Sequence, residues 1–379
     1  MNNAPLPLTS ESPKRVIVAM SGGVDSSVVA GLMKEAGHEV IGLTLQLYDS
    51  GAFSGRTKAC CAGQDIYDAR VTADKIGIPH YVLDYESRFK EAVIEDFADS
   101  YLRGETPIPC VRCNQEVKFK DLLATARELG GDVLVTGHYV RWESSSEPEL
   151  HRAVDVSRDQ SYFLFSVSRE QLAYLRFPLG SLTKDAVRLH AKRLGIPVAD
   201  KPDSQDICFV PDGNYASVIE RLRPEAADPG AILDLEGRLL GAHKGIIHYT
   251  VGQRRGLQGL LNAQGESLYV VKIDAAQKAI IVGPKSALAC PAVFLRDVNW
   301  LGAPEAEPFE LSVKVRSSQE PVPAKVRLTP NNTAHVIFEQ AEYGVSCGQA
   351  CVFYQGTRVL GGGWIERAPL GVESAPSAS

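Results

Sequence analysis

The sequence predicts an α/β protein: a doubly wound parallel sheet, followed by two smaller β-rich modules. Three observations predict it. Up to about Val210, short apolar runs alternate with longer amphipathic helical stretches, the pattern of parallel strands joined by right-handed crossovers. The first such run leads straight into a Gly-rich turn and a helix. Beyond Val210 helical patterns nearly vanish, and short β-rich runs broken by turn residues take over, as in small barrels or sandwiches.

The elements follow in order. Arg15–Met20 is the first strand and Asp25–Ala36 the first helix. Glu39–Tyr48 is the second strand, and Ala62–Ile76 a helix with Ile66, Ala69, Ala73 and Ile76 on one face. Pro79–Leu83 is the third strand, Ser87–Tyr101 the third helix, Phe119–Leu129 the next, and Asp132–Tyr139 the fourth strand. Helices Arg169–Phe177 and Lys184–Leu194 extend this unit. After the helix Tyr215–Leu222 and the punctuation of Pro224, Pro229 and Gly230, the strands are Ala231–Leu233, Ser267–Ile273, Ala279–Val282, Phe309–Val315, Pro323–Leu328, Thr333–Phe338, Ala350–Tyr354 and Arg358–Gly361. Pro284 to Pro291 reads as the seam between two β modules. The expected domains are therefore 13–210, 211–285 and 286–370, with flexible tails at 1–12 and 371–379.

Bulk properties leave function open. The chain has 379 residues, enough for two or three domains, with 44% hydrophobic and 23% charged residues, as in soluble globular proteins. It carries no run of about 18 apolar residues that would span a membrane, and no signal-peptide core. A cytoplasmic protein is expected. Eight cysteines in such a chain read as buried small hydrophobes, metal ligands or reactive thiols rather than a disulfide scaffold. A net charge of −6 argues against bulk attraction to nucleic acid but permits a local basic face.

The turn after the first strand reads Ser21-Gly22-Gly23-Val24-Asp25-Ser26-Ser27. Paired glycines let the backbone turn N–H groups inward at a helix N-terminus, which makes an anion nest suited to phosphate. The serines add hydroxyls, and Asp25 can hold Mg²⁺ against a pyrophosphate. The bland alternative is a strand-to-helix turn capped by Ser and Asp. The full string, lacking a P-loop lysine, resembles the pyrophosphatase loop of adenine nucleotide α-hydrolase-like enzymes, which cleave ATP to AMP and pyrophosphate. Ligands sit beyond the carboxyl ends of parallel strands, so Leu43–Leu45 and Thr136-Gly137-His138 should reach the same nucleotide.

The cysteines fall into three groups. Thr106–Asn114 reads as a Pro-braced loop carrying Cys110-x-x-Cys113, with Arg112 placed to stabilise an exposed thiolate. Cys208 lies in the polar stretch Asp203–Phe209. Cys290, Cys347 and Cys351 read as packing residues, and Cys60-Cys61 as incidental. Zinc wants four ligands, and Cys110, Cys113 and Cys208 supply three. Three cysteines suit a [4Fe–4S] cluster with one open iron; alternatively two act as sulfur-carrying and resolving thiols.

With these motifs on the page, the chain closely resembles the bacterial tRNA-specific 2-thiouridylases. The match is an ordered series: Ser21–Ser26, Pro107–Asn114, Lys118-Phe119-Lys120, Thr136–Val140, Asp159–Phe163, Asp203–Phe209, His248–Leu257, Gly348-Gln349 and Gly361–Gly363. The resemblance implies a pyrophosphatase-loop domain followed by a small β-rich central domain and a C-terminal β-barrel. It also implies an enzyme that adenylates C2 of the wobble uridine in tRNAs for Lys, Glu and Gln and replaces its oxygen with sulfur. Sulfur would come from a cysteine desulfurase or a relay protein, and nothing demands more than a monomer. By position, Ala19, Met20, Ser21, Gly22, Gly23, Val24, Asp25, Ser26, Leu45 and Gly137 would bind ATP. Cys208 would carry the persulfide, and Cys113 would attack it and leave a disulfide. Ile108, Pro109 and Cys110 would lie against the target base. His138, Arg158, Asp159, Gln160, Arg316, Ser317 and Gln349 would contact tRNA. Much of the family has Asp where this chain has Cys110, which favours the cluster alternative. Further basic candidates for RNA are Lys118, Lys120, Arg141, Arg254, Arg255 and Lys314. Two rival readings are a small-molecule ligase built on the same loop, which leaves Cys113 and Cys208 without use, and an ATP-sensing RNA-binding protein. Whether ATP cleavage needs tRNA separates the first; unchanged tRNA after incubation with ATP and sulfide would favour the second.

Overall fold

A computed structural model describes residues 14–48, 61–203, 207–210, 213–257, 259–261, 264–302 and 308–366. The expected tails, Cys60 and Ser204–Asp206 lie outside them. The chain divides into two compact units. The first holds residues 1–98, 109–222 and 356–360, the second 99–108, 223–355 and 361–379.

The first unit is built on a five-stranded sheet in the order β3-β2-β1-β4-β7, with β1 Arg15–Ala19, β2 Glu39–Gln46, β3 His80–Asp84, β4 Val133–Val135 and β7 Leu175–Arg176. Every neighbouring pair is parallel. Helix α1, Val24–Glu35, buries Val28, Val29, Ala30, Leu32 and Met33. A helix apolar on nearly all sides belongs inside a core, and these residues join Val16, Val18, Val133 and Val135 in one cluster. Helix α2 is Cys61–Ile76, of which Ala69, Thr72 and Ala73 are fully buried.

The segment expected to be a Pro-braced loop is helical from Pro109. Proline at the first helical position has its φ already set and needs no N–H partner. Helix α4 runs on through Pro109–Arg112, Cys113–Leu122 and Leu123–Glu128, its middle part wound as a π-helix. The third helix, α3, is likewise continuous through Glu86–Phe89, a π-wound Lys90–Glu95 and Asp96–Leu102. Such widened turns recur at functional sites. An unexpected hairpin, β5 Val140–Ser144 with β6 Pro148–Arg152, follows β4 and pairs with Arg358 and Val359. Helix α5, Arg169–Tyr174, opens on a capping box of Ser168 and Gln171. Helix α6, Lys184–Arg193, is capped by Thr183. Tyr215–Leu222 is the last helix of the unit.

The second unit is almost all β. One sheet has the order β10-β11-β8-β9: β8 Gly230–Leu233, β9 Leu239–His243, β10 Tyr269–Asp274 and β11 Ala279–Gly283. A six-stranded barrel follows the order β12-β15-β14-β13-β16-β17 and closes through β12–β17. Its strands are β12 Ala289–Trp300, β13 Phe309–Lys314, β14 Val322–Thr329, β15 Thr333–Tyr343, β16 Ala350–Gln355 and β17 Arg358–Glu366. Closure removes open sheet edges. Strand β12 is missing from the sequence reading because Pro291 reads as a breaker. The structure accommodates it at a register shift between Cys290 and Ala292, where the ladder asks no N–H of it.

Candidate active site

The Gly-rich loop sits between β1 and α1, at the carboxyl edge of the parallel sheet. Gly22 has φ +75°, and a Cβ there would stand 2.0 Å from the carbonyl oxygen of Asp65. Only glycine fits. Ser26 Oγ accepts from the Ser21 N–H at 3.1 Å, and Ser27 Oγ donates to the Gly23 carbonyl at 2.8 Å. Gly137, after β4, packs against this loop: its Cβ would lie 3.0 Å from the Ser26 amide nitrogen. The open side of the loop faces a cavity of about 460 Å³. Ala19, Met20, Ser21, Gly23, Val24, Asp25, Ser26, Leu45 and Gly137 all line it. Gly22 is the one expected nucleotide residue outside the lining; its carbonyl accepts from Lys201 Nζ at 3.0 Å. Amides at a helix N-terminus beside hydroxyls make this end of the cavity an anion site. At the back, Thr44 donates to the Met20 carbonyl and meets His80 Nε2, both at 2.8 Å.

Charge in the cavity is organised by residues that sequence reasoning missed. Lys184 Nζ holds both carboxylate oxygens of Asp25 at 2.8 and 2.9 Å, and Asp203 at 2.7 Å. The Tyr139 hydroxyl donates to Asp25 at 2.8 Å, and burial together with that carboxylate pushes its phenol pKa far up. Asp203 also pairs with Arg158 at 3.0 Å and Arg188 at 3.4 Å. Lys201 bridges Asp65 and Asp68. A buried ammonium needs such partners. No local signal marks Lys184 or Lys201, each a single lysine far along the chain from the loop it steadies.

The thiols differ from one another. Cys110 is exposed, while Cys113 is buried, not exposed as expected. Arg112 pairs with Asp96 at 3.3 Å. Burial pushes the Cys113 thiol up, with Lys118 pulling it down and Cys110 pushing it up more weakly. Cys208 lies at the cavity wall, reachable from solvent, yet its sulfur is hemmed in. Desolvation first, then the nearby Cys113 and Cys110, push it up to about 12. The Tyr48 hydroxyl donates to the Cys208 carbonyl at 2.7 Å. Among the described residues no three His, Cys, Asp or Glu side chains are gathered to hold a metal ion. Cys208 nevertheless senses both Cys113 and Cys110, so the three thiols stand near one another. Mg²⁺ is a different case, because it is commonly shared between one carboxylate and substrate phosphates. Asp25 keeps lone-pair capacity beyond its contacts with Lys184 and Tyr139.

Other expected contacts fall in several places. His138, Arg158 and Gln160 line the same cavity as the Gly-rich loop. His138 is packed between Phe119 and Phe177 and meets Thr136 Oγ1 at 2.7 Å; burial, and secondarily Lys118, hold its pKa well below 6.5. Gln160 accepts from the Tyr139 N–H at 2.8 Å. The Asp159 side chain is 2% exposed and binds Arg152, the Ala153 N–H and Ser161. It braces its own loop. Ile108 and Pro109 are buried, leaving Cys110 as the exposed member of that trio. Lys118 turns to the cavity, Lys120 pairs with Glu116, and Arg141 pairs with Glu143. Lys314 is buried, which removes it as an RNA contact, while Arg254 and Arg255 are exposed. In the second unit, Arg316 and Ser317 are exposed. Arg316 and Gln349 line a recess of about 430 Å³, and Gln349 Nε2 donates to the Thr106 carbonyl at 2.9 Å. Cys351 is buried, whereas Cys290 and Cys347 are half-buried.

Three family models match the chain. They are described as the tRNA methyl transferase HUP domain over residues 14–212, the tRNA methyl transferase PRC-barrel domain over 217–284, and the aminomethyltransferase beta-barrel domain over 292–365. The tRNA-specific 2-thiouridylase of Rhodospirillum centenum is 62% identical over 360 residues, covering 93% of this chain and 92% of its own. That of Rhizorhabdus wittichii is 59% identical over 366 residues, covering 96% and 94%. That of Paracoccus denitrificans is 58% identical over 359 residues, covering 93% and 91%.

Proposed function

The chain belongs to the tRNA-specific 2-thiouridylase family, enzymes that convert uridine in tRNA to 2-thiouridine, and from that premise we propose how its residues divide the work. The substrate is the wobble uridine of tRNAs for Lys, Glu and Gln, and ATP activates it. A C2 carbonyl holds a poor leaving group. Its oxygen attacks the α-phosphorus of ATP, the bond to pyrophosphate breaks, and the base becomes an adenylate whose oxygen departs on AMP.

The loop amides, Ser21, Ser26 and the N-terminus of α1 receive the pyrophosphate and stabilise its charge. Asp25 would share Mg²⁺ with it, the metal supplying further charge neutralisation. Lys184 and Tyr139 fix the rotamer of Asp25, and Lys201 steadies the loop through the Gly22 carbonyl.

Cys208 carries sulfur as a persulfide received from a cysteine desulfurase or relay protein. The terminal sulfur bonds to C2 as the C2–O bond breaks and AMP leaves. The Cys113 thiolate then attacks Cys208 Sγ, the S–S bond to the transferred sulfur breaks, and 2-thiouridine and a Cys113–Cys208 disulfide remain. A reducing thiol reopens that disulfide. In the loading step the Cys208 thiolate attacks the outer sulfur of the donor persulfide, and the donor cysteine leaves as a thiolate. The splayed base would lie near the exposed Cys110, with Arg316, Ser317 and Gln349 on the tRNA body. The enzyme acts as a cytoplasmic monomer.

The observation that carries this reading is that Cys208 lines the same cavity as the Ser21–Ser26 loop and senses the charge of Cys113. Cys208→Ala and Cys113→Ala should each abolish thiolation from a persulfide donor while ATP affinity stays within about twofold of the parent. Loss of ATP binding in either variant would argue against it. The mutual sensing of all three thiols is what favours the cluster alternative. Anaerobic enzyme with four irons, lost in Cys110→Ala, Cys113→Ala and Cys208→Ala alike, would replace the persulfide route.

A further inference from the structure

Four cations line the nucleotide cavity: Lys118, Arg158, Lys184 and Lys201. Protein carboxylates neutralise three of them, since Lys184 bridges Asp25 and Asp203, Arg158 pairs with Asp203, and Lys201 holds Asp65 and Asp68. Lys118 makes no hydrogen bond or ion pair among the described residues. It is half-buried between the buried Val117 and Phe119. A cation partly removed from water without a counterion is costly unless the site receives an anion.

Its place in the cavity says which anion. Lys118 lies in the π-wound stretch Cys113–Leu122, where i→i+5 bonding sets it one wide turn beyond Cys113. Its charge reaches Cys113, Cys208 and His138, so the ammonium stands at the sulfur side. The pyrophosphate is provided for by the loop amides. Given the reaction proposed above, on which this step rests, the phosphorus joined to the activated base must stand within reach of the Cys208 sulfur. The group beside Cys208 is therefore the α-phosphate.

We propose that Lys118 is the protein's ligand for the α-phosphate of ATP and of the tRNA adenylate, pairing with its non-bridging oxygens while both neighbouring bonds are exchanged. In the first exchange the uridine oxygen bonds to phosphorus and pyrophosphate leaves. In the second, sulfur bonds to C2 and the oxygen leaves on AMP. Lys118 forms no covalent bond and transfers no proton; it neutralises charge on a group that turns from triphosphate to diester to monoester.

The test uses nucleotides that differ at that phosphate alone. Binding of AMP, adenosine and pyrophosphate is measured calorimetrically on the full-length protein, its Lys118→Met and Lys118→Gln variants, and Lys118→Arg. Loss of one charge-assisted contact should weaken AMP by about tenfold or more in the Met and Gln variants. Adenosine and pyrophosphate should stay within about twofold, and Lys118→Arg should recover most of the AMP affinity. Equal losses for AMP and adenosine would mean a structural role and overturn the proposal. A loss confined to pyrophosphate, or no loss at all, would overturn it as well. So would unchanged AMP affinity with altered iodoacetamide alkylation of Cys208, which would assign the lysine to sulfur. Wild-type enzyme assayed with tRNA, ATP and a persulfide donor separates the two readings: no 2-thiouridine, with AMP selectivity intact, would remove the proposed reaction and leave a phosphate-binding lysine.

Discussion

Replacing Lys184 with methionine keeps most of the side chain's length and removes its charge from the centre of the site. The Lys184 side chain is 9% exposed, and its ammonium meets Asp25 and Asp203, whose side chains are 31% and 16% exposed. Breaking a fully buried ion pair by deleting one partner costs about 3–5 kcal/mol. Here the cost is smaller. Asp25 retains the Tyr139 hydroxyl and some water, and Asp203 retains Arg158 and Arg188. A loss of about 2 kcal/mol follows, roughly thirtyfold in the folding equilibrium. Urea unfolding read by fluorescence of Trp142 measures it, in a Trp300→Phe, Trp364→Phe background that leaves one tryptophan in the first unit. Trp142 is anchored there by the Leu172 carbonyl at 3.0 Å and the Arg176 guanidinium 3.7 Å from its ring. Adding Asp25→Asn to Lys184→Met should restore about 1 kcal/mol, because the stranded carboxylate is the source of the cost. A loss under about 0.5 kcal/mol for Lys184→Met, or no recovery in the double variant, would refute the view that Lys184 is the buried counter-charge of this site.

Gly22→Ala should be severe, combining the left-handed backbone penalty of about 1–2 kcal/mol with a Cβ driven into the Asp65 carbonyl; ATP affinity should fall at least about a hundredfold. Gly137→Ala meets a looser contact and should cost about tenfold in ATP affinity with a small change in melting temperature; equal effects of the two, measured by calorimetry, would show that the loop is not held as described. Acidification should destabilise the first unit. Burial lowers the folded pKa of His80 and His138 below 6.5, so unfolding takes up protons there. Stability is fully present above pH 6.5 and is lost as the pH falls below it, by at most about 1.4 kcal/mol per pH unit for each histidine. The urea midpoint between pH 7.5 and 5.5 reports this, and His138→Gln should flatten part of the slope; a steeper slope in that variant would contradict it.

What could be read from the sequence was whatever lies contiguous along it. Ser21–Ser26 announces its turn because the glycines, hydroxyls and helix start are adjacent, and hydrophobic periodicity locates β1, β2 and α1 for the same reason. Lys184 and Lys201 gave no warning, since a lysine on a helix or in a loop reads as surface until the fold brings it 2.7–2.8 Å from a carboxylate 159 or 136 positions away. Lys118, Arg158 and His138 read as basic RNA contacts in sequence, and the fold brings all three into the lining of one cavity beside the Ser21–Ser26 loop. The helix from Pro109 was hidden by the prolines ahead of it, and β12 by Pro291, because a proline at a first helical turn or a bulge looks like one in a loop. Beside Arg112, Cys113 reads as an exposed thiolate; side chains adjacent in a helix do not face each other, and Arg112 pairs with Asp96.

In the proposed turnover, one ATP is cleaved at its α-phosphate to exchange a uridine oxygen for sulfur held on Cys208. It is tested by a single-turnover reaction of enzyme loaded with ³⁵S at Cys208, mixed with unmodified tRNA and ATP, the products read by nucleoside mass spectrometry and nucleotide chromatography. Equal amounts of ³⁵S-labelled 2-thiouridine, AMP and pyrophosphate are expected, with a Cys113–Cys208 disulfide left on the protein. Formation of ADP and phosphate, or 2-thiouridine whose sulfur is unlabelled, would contradict it.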